Sequence, residues 1–152
     1  MKKVTFSQIS AFLENPVIAV AGASRQEKSF GVEVVNHLKS LNYKVICINP
    51  AYEMNFPEDN RYQSLEDVPG NNFSLLIATP KTETEKVLKS AIDKKVNNVW
   101  IQQMSETPEA LALGEASDIN FIYKECIFMF SKPEGIHKFH YTIKKIFRKI
   151  PR

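Results

Sequence analysis

Pro16-Val17-Ile18-Ala19-Val20-Ala21-Gly22-Ala23-Ser24 is an apolar run that ends at a glycine, and apolar residues at helical spacing follow Gly31. A continuously apolar strand is typical of a parallel sheet whose two faces are both covered by helices. The change from strand to helix at a glycine exposes backbone N–H groups at a helix N-terminus, which suits a phosphate. The run therefore predicts an α/β fold with a nucleotide site after its first strand.

The glycine pattern of this run departs from that of dinucleotide-binding proteins. With Gly22 as the first glycine, G-x-G-x-x-G requires two more where the sequence has Ser24 and Glu27. The Ser24 hydroxyl and the cations Arg25 and Lys28 would instead join the helix N-terminus in facing an anion. The alternative is that Gly22 only makes a tight turn and that Ser24 caps the following helix.

Strand and helix patterns alternate along the rest of the chain. Strands are predicted at 17–21, 44–48, 73–78, 98–101 and 121–123, and 51–69 is interpreted as a loop. Helices are predicted at 5–14, where Phe6, Ile9, Phe12 and Leu13 share one helical face and Thr5 or Ser7 is the N-cap, at 30–41, at 82–95 with Thr82 as cap, and from Pro108 after Thr107. This alternation predicts a Rossmann-like, doubly wound parallel sheet of five strands in the order 3-2-1-4-5.

Composition is that of an ordinary globular chain. With 152 residues, of which 43% are hydrophobic and 24% charged, we expect one domain over residues 1–152. The N-terminus lacks the apolar core of a signal peptide, and no apolar run approaches the roughly 20 residues of a membrane helix, so a cytoplasmic protein with no membrane partner is expected. Cys47 and Cys126 are far apart and interpreted as reduced thiols, while His137 and His140 lack further ligands, so no metal is expected.

The C-terminal residues 132–152 carry most of the positive charge. They hold seven Lys or Arg against Glu134, which makes them +6 within a net charge of +3. A basic amphipathic helix is predicted from 136 to 150, with Ile136, Phe139, Ile143, Phe147 and Ile150 on one face. A solvated helix whose apolar stripe packs on its own domain is the expected arrangement. The alternatives are a partner protein, a second copy or a nucleic acid, of which the nucleic acid is not expected.

Polar groups follow the predicted strands at the edge where ligands bind in such sheets. They include Asn49-Pro50 after the second strand, Thr79-Pro80 after the third, Gln102 after the fourth and Cys126 beyond the fifth. An NAD site calls for an Asp or Glu after the second strand to bind the ribose, and Asn49 is uncharged. The edge therefore favours a nucleotide other than NAD.

Several segments together resemble a known family. These are Gly22-Ala23-Ser24 with Gly31, Tyr43-Lys44-Val45 leading to Asn49-Pro50, the stretch 62–69, Thr79-Pro80, Val99-Trp100-Ile101-Gln102 and Cys126-Ile127. In this order the chain resembles small stand-alone CoA-binding proteins and the Rossmann-type CoA-binding domain of the succinyl-CoA synthetase alpha subunit. The family often has a glycine where this chain has Met104, and Lys124-Glu125 is also unusual there.

The resemblance implies roles for the residues at this edge. Gly22, Ala23, Ser24, Arg25 and Gly31 would approach the CoA phosphates. Asn49 and Pro50 would border the adenosine, and Thr79 and Pro80 would lie beside the pyrophosphate and pantetheine, with Gln102 and Cys126 on the same edge. The ligase activity does not carry over, because its phosphohistidine segment and nucleotide-activating subunit are absent from these residues.

Two functions follow from these observations. The first is binding of CoA or an acyl-CoA without catalysis. The second is an NAD(P)-dependent oxidoreductase or redox sensor that uses the same loop. Cys126 is interpreted as a buried, inert thiol, with a mixed disulfide to the CoA thiol as the alternative.

Overall fold

The computed structural model describes residues 2–23, 29–51 and 60–131. A parallel six-stranded sheet organises them, and four helices flank it. The strands are β1 (Val17–Ala21), β2 (Lys44–Ile48), β3 (Arg61–Tyr62), β4 (Ser74–Ile77), β5 (Asn98–Gln102) and β6 (Asn120–Glu125). The helices are α1 (Phe6–Glu14), α2 (Phe30–Ser40), α3 (Lys81–Asp93) and α4 (Pro108–Glu115), and a 3-10 turn covers Ile127–Met129.

The sheet has one strand more than the sequence predicts. Its order is β3-β2-β1-β4-β5-β6 and every pairing is parallel. The five predicted strands are present, but the added β3 takes the edge position beside β2. The strand at 74–77, predicted for that edge, lies instead beside β1, with Ala19 opposite Leu75. The Rossmann-like class of the prediction is confirmed, and its count of five strands is wrong.

The strand that the sequence does not predict is β3, which is too short for its periodicity to be recognised. Arg61 pairs with Cys47 and Tyr62 with Ile48, and the Asn49 N–H donates to the Tyr62 carbonyl at 3.0 Å. Two residues give no alternation to read, so β3 exists only through its ladder to β2. β3 bears on the candidate site because it holds the loop that follows it at the carboxyl end of the sheet.

The core lies on both faces of the central strands. Residues 18–21 of β1 are at most 1% exposed, as the continuous apolar run predicts. On β5, Trp100 is fully buried and packs edge-on against Phe12 of α1, with ring centroids 5.2 Å apart. Its indole N–H donates to the Glu125 carbonyl at 3.0 Å, which satisfies the only polar atom of that side chain.

Two of the helix starts agree with the sequence. Thr5, rather than Ser7, caps α1: its side chain accepts from the Gln8 N–H at 3.2 Å, and Gln8 Oε1 accepts from the Thr5 N–H at 2.9 Å. This reciprocal pair is a capping box. Thr107 caps α4 by accepting from the Ala110 N–H at 3.1 Å.

Two other helix starts differ from the prediction. Helix α3 begins at Lys81 after Pro80 and has no side-chain cap, so the prediction of Thr82 as its cap is wrong. Pro80 is the N-cap of α3, and its side chain has no acceptor for a helix N–H. Helix α2 is capped by Ser29, whose hydroxyl accepts from the Val32 N–H at 3.3 Å. Ser24 is therefore not the cap of α2.

The apolar face of α1 is only partly buried. Ile9 and Phe12 are in the core, but Leu13 is only half-buried and Phe6 is 44% exposed. The helix predicted at 136–150 lies outside the described residues. No helix in the described part of the chain combines the length and apolarity needed to cross a membrane.

Candidate functional site

Gly22 brings three strand ends together. Its φ is 98°, in the left-handed region, and a Cβ placed there would lie 2.4 Å from the Ala78 carbonyl oxygen. The Gly22 N–H donates to the Ile48 carbonyl at 3.1 Å, and the Ala78 N–H donates to the Ala21 carbonyl at 2.8 Å. The turn after β1 is thus tied to the ends of β2 and β4, and only glycine fits it.

Gly31 allows the first turn of α2 to touch that same turn. A Cβ at Gly31 would lie 2.2 Å from the Gly22 carbonyl oxygen and 3.1 Å from the Ala23 Cα. This close approach places the start of α2 over the end of β1, the arrangement in which helix N–H groups face a phosphate. Ser24, Arg25 and Lys28, predicted to face the same anion, lie outside the described residues.

Asn49 clamps the loop after β2 to the loop after β1. Its side-chain amide donates to the Ala23 carbonyl at 2.6 Å, and its Oδ1 accepts from the Ala51 N–H at 2.8 Å. Both polar ends of the side chain are therefore engaged with backbone. Asn49 is a neutral positioning group here, where an NAD site places a carboxylate.

A pocket of about 310 Å3 opens at the carboxyl ends of β1, β2 and β4. Five predicted site residues share its wall: Gly22, Asn49, Pro50, Thr79 and Pro80. Behind this wall, Ala23 is fully buried and Gly31 supports the turn. The fold thus gathers residues up to 58 positions apart in sequence around one cavity, Gly22 being the first and Pro80 the last.

The opposite wall of this pocket consists of residues to which the sequence gives no role. Helix α3 contributes side chains from successive turns, and the loop after β3 faces them. These residues are Gln63, Ser64, Leu65, Glu66, Glu83, Lys86, Val87 and Ser90. The signal for the helical part is the spacing of 83, 86, 87 and 90, which places them on one face. The loop part belongs to the stretch 62–69, which carries the resemblance but no predicted contact.

A hydrogen bond closes this wall. The Ser90 hydroxyl of α3 donates to Glu66 Oε1 at 2.5 Å. This bond is the main reason why the pKa of Glu66 lies below its ordinary value of 4.5, with the positive charge of Lys86 a smaller cause. The loop is anchored beneath by Leu65 and Val68, which are at most 3% exposed.

A second set of hydroxyls fixes the turn from β4 into α3. The Thr84 hydroxyl lies 2.8 Å from the Ser105 carbonyl and 3.0 Å from Thr79 Oγ1. Because a carbonyl can only accept, Thr84 donates to Ser105 and Thr79 donates to Thr84. The Thr79 side chain at the pocket is thereby oriented by the loop that follows β5.

The last two predicted site residues lie at strand ends but not on this pocket. Gln102 is 4% exposed, and its Oε1 accepts from the Ile127 N–H at 3.2 Å. Cys126 is 7% exposed. Met104, two residues beyond β5, is 75% exposed and has φ 80°, a left-handed conformation that glycine adopts at least cost.

The thiols and acidic groups show little sign of reactive chemistry in the described residues. Burial raises the pKa of the Cys47 thiol to about 11, partly offset by the charge of Lys39, so Cys47 is a neutral thiol at pH 7. No group of three His, Cys, Asp or Glu side chains among these residues could hold a metal ion. Among the described residues, the pocket combines backbone groups, hydroxyls, the Asn49 amide, three charged side chains and an apolar end.

The comparisons with known proteins agree with this geometry. A family model described as CoA binding domain matches residues 16–132, which is more than two thirds of the chain. The chain belongs to the CoA-binding domain family. The matched residues of this CoA-binding domain run from just before β1 to just after the 3-10 turn and include every residue of the pocket.

Solved structures share the fold. A hypothetical protein from Pyrococcus horikoshii OT3 superposes with a TM-score of 0.71 at 21% identity, over 84% of this chain and 92% of that one. A conserved hypothetical protein from Pyrococcus furiosus gives 0.66 at 24% identity, over 72% and 94%, and a protein from Thermus thermophilus gives 0.66 at 20% identity, over 80% and 89%. No curated protein matches the sequence. At these identities the likeness concerns the fold.

Because Gly31 touches the Gly22 carbonyl, we expect Gly31→Ala to destabilise the protein, although alanine usually stabilises a helix relative to glycine. Helix propensity alone would make Gly31→Ala stabilising by about 1 kcal/mol. We expect it instead to lower the free energy of unfolding by about 3 kcal/mol, because its Cβ meets backbone that cannot move without displacing α2. Urea denaturation of the variant measures this change.

The control for that substitution is Gly70→Ala. Gly70 has φ 67° and nothing within 4 Å of a built Cβ, so only backbone strain of about 1–2 kcal/mol is expected. A Gly31→Ala protein as stable as Gly70→Ala, or more stable than the parent, would contradict the close approach.

The bond between Ser90 and Glu66 predicts a pH-dependent loss of stability. Because the folded-state pKa of Glu66 is lowered, its contribution is complete above pH 4.5 and is lost as pH falls through the lowered value. We expect Ser90→Ala to unfold more easily than the parent at pH 7, by less than about 1 kcal/mol for this exposed pair. The difference should shrink below pH 4.5.

Thermal unfolding of both proteins from pH 3 to pH 7 checks this prediction. Ser117→Ala is the matched control, since the Ser117 hydroxyl donates to the Gly114 carbonyl at 2.7 Å and no carboxylate is involved. A Ser90→Ala difference as flat with pH as that of Ser117→Ala would rule out the Glu66 contact as its cause.

Proposed function

We propose that this protein binds CoA or an acyl-CoA at the pocket between Gly22 and α3, without catalysis of its own. The observation that carries the proposal is the convergence of Gly22, Asn49, Pro50, Thr79 and Pro80 on one cavity within a chain of the CoA-binding family. Membership of the family supports CoA binding in general, and the cavity supports this pocket as the location of the bound CoA.

The pocket has two chemically different ends. Near Gly22, the starts of α2 and α3 point their N-termini toward the carboxyl edge of the sheet, and α3 has no side-chain cap that would compete for its N–H groups. The end near Leu65 and Val87 is apolar, with the Glu66 carboxylate beside it. The CoA phosphates therefore belong near Gly22, and the adenosine belongs between the loop after β2 and α3.

In this proposal the CoA phosphates are bound both by backbone N–H groups and by the predicted cations. Ser24, Arg25 and Lys28 belong to the loop between β1 and α2 and are proposed phosphate ligands. Gly31 and Ala23 act by letting the backbone approach. Gln102 and Cys126 lie at the ends of β5 and β6, where only the outer, pantetheine part of a long ligand would reach them.

A binding role is favoured because the described residues that line the pocket include no cysteine and no histidine. Cys47 is buried within β2, and its thiol has a raised pKa of about 11. The His37 imidazole and the Ser131 hydroxyl lie 3.0 Å apart, but neither lines the pocket, and the Ser131 hydroxyl donates to the Ile127 carbonyl at 2.8 Å. Nucleophilic catalysis requires a thiol or hydroxyl within hydrogen-bond reach of a base. The NAD(P) alternative is disfavoured by Asn49, whose polar atoms hold backbone groups.

Isothermal titration of the full chain with CoA, acetyl-CoA, NAD and NADP tests the proposal. We expect saturable binding of CoA and its thioester, with NAD giving no heat above dilution. Comparable affinities for CoA and acetyl-CoA would place the thiol end outside the pocket. Selective binding of NAD or NADP, with none of CoA, would overturn the proposal.

Lys86 offers a charge test of the same site. It is the only cation among the described residues that line the pocket, and the carboxylates of Glu66 and Glu83 lie on the same wall. Lys86→Gln leaves these carboxylates uncompensated before a polyanionic ligand. We expect the CoA dissociation constant to rise about threefold to tenfold at low salt, with a smaller rise at high salt.

Lys89→Gln is the matched control for this substitution. Lys89 lies one turn further along α3, carries the same charge and is not a lining residue. Equal losses in Lys86→Gln and Lys89→Gln would show only a general effect of net charge and would remove Lys86 from the site.

A further inference from the structure

A second groove in the described part of the chain lies on α1 and shares no residue with the CoA pocket. It has a volume of about 510 Å3 and is lined by Phe6, Ile9, Ser10, Leu13, Glu14, Met129 and Phe130. We call these seven residues the α1 groove. Five of them form one face of α1, and the other two end the 3-10 turn and immediately precede Ser131.

The α1 groove exposes apolar side chains that share one face of α1 with core residues. Phe6 is 44% exposed, and its ring packs edge-on against Phe130 with 6.3 Å between centroids. Leu13 is only half-buried at the other end of the helix. Leaving such side chains in contact with water forgoes the stabilisation that burial of apolar surface provides. An apolar segment laid along α1 would recover this energy.

The chain outside the described residues begins at this groove. Ser131 is held in place, since its hydroxyl donates to the Ile127 carbonyl at 2.8 Å and its carbonyl lies 2.7 Å from His37 Nε2. The basic tail, residues 132–152, follows directly. Its first five residues can span roughly 17 Å, more than the roughly 14 Å length of a nine-residue helix such as α1. The tail can therefore fold back along α1.

The tail and the groove have matching patterns. The groove positions Phe6, Ile9 and Leu13 are spaced by three and then four residues, and the tail repeats this spacing at Ile136, Phe139 and Ile143. Such rows interdigitate when two helices pack side by side. The charges also agree, because Glu14 closes one end of the groove and the tail carries a formal charge of +6.

We propose that the apolar stripe of residues 136–150 packs into the α1 groove of its own molecule. The structure favours the molecule's own tail over another occupant because the tail leaves the wall of the groove. A short tether of this kind raises the effective concentration of the segment to the millimolar range. The lysines and arginines of the tail then form a basic outer surface beside α1. The matched family residues end at 132, so this surface is an addition to the CoA-binding domain.

Disulfide trapping in the full chain tests the proposal. In Ser10→Cys/Ile143→Cys, one cysteine lies in the groove and the other lies on the apolar stripe. The control Ser10→Cys/Tyr141→Cys places the second cysteine on the opposite helical face. Cys47 and Cys126 are buried and stay reduced in both proteins. Under mild oxidation we expect the stripe pair to close within one chain several-fold faster than the control pair, as read by non-reducing gels and intact mass.

Thermal unfolding provides a second readout that needs no cross-link. Phe139→Ser should lower the midpoint, whereas Tyr141→Ser should leave it unchanged, because both remove an aromatic ring but only the first removes one from the stripe. A disulfide-linked dimer would assign the groove to the tail of a second copy and overturn the proposal. Equal cross-linking rates in the two cysteine pairs would also overturn it, as would equal unfolding midpoints of Phe139→Ser and Tyr141→Ser.

Discussion

The contact between Gly31 of α2 and the carbonyl of Gly22 is the constraint on which the rest of the site depends. A Cβ at Gly31 would stand 2.2 Å from that carbonyl oxygen, and one at Gly22 would stand 2.4 Å from the Ala78 carbonyl oxygen. Because glycine has no Cβ, two pieces of backbone can come into contact at each of these positions. Through them the end of β1 contacts both α2 and the end of β4, so the pocket has a floor that side chains alone could not make.

If the pocket binds the CoA phosphates as proposed, this backbone floor would face an anion with Lys86 as the only cation among the described residues that line the pocket. Helix N-termini carry a partial positive charge and free N–H groups, and both act at the close range that the two glycines permit. Asn49 extends the arrangement by fixing the Ala23 carbonyl and the Ala51 N–H with one neutral side chain. A carboxylate in its place would repel a ligand phosphate. On the proposed function, the neutral Asn49 side chain favours CoA over NAD, whose ribose calls for a carboxylate at this position.

Sequence periodicity predicted the parts of the fold whose residues interact with near neighbours. The buried run at β1, the Thr5 and Thr107 caps and the polar strand ends were readable because their causes are local. β3 was not readable, since its two residues become a strand only beside β2. For the same reason the wall formed by Glu66 and Ser90 escaped prediction, as those residues are 24 positions apart and meet only after α3 has packed. The prediction of Thr82 as the cap of α3 was wrong because the helix begins at Lys81, directly after Pro80.

The exposure of Phe6 bears on the proposed position of the basic tail. Periodicity places Phe6, Ile9 and Phe12 on one helical face, and a nine-residue helix presents that face to the sheet only in part. Phe12 reaches Trp100 in the core, while Phe6 faces the groove beside Phe130. An amphipathic pattern predicts that a side chain is buried, but it does not identify the surface against which the side chain packs. Residues 136, 139 and 143 repeat the three-and-four spacing of Phe6, Ile9 and Leu13, and a tail that lies in the α1 groove as proposed would cover the part of the apolar face of α1 that the sheet leaves exposed.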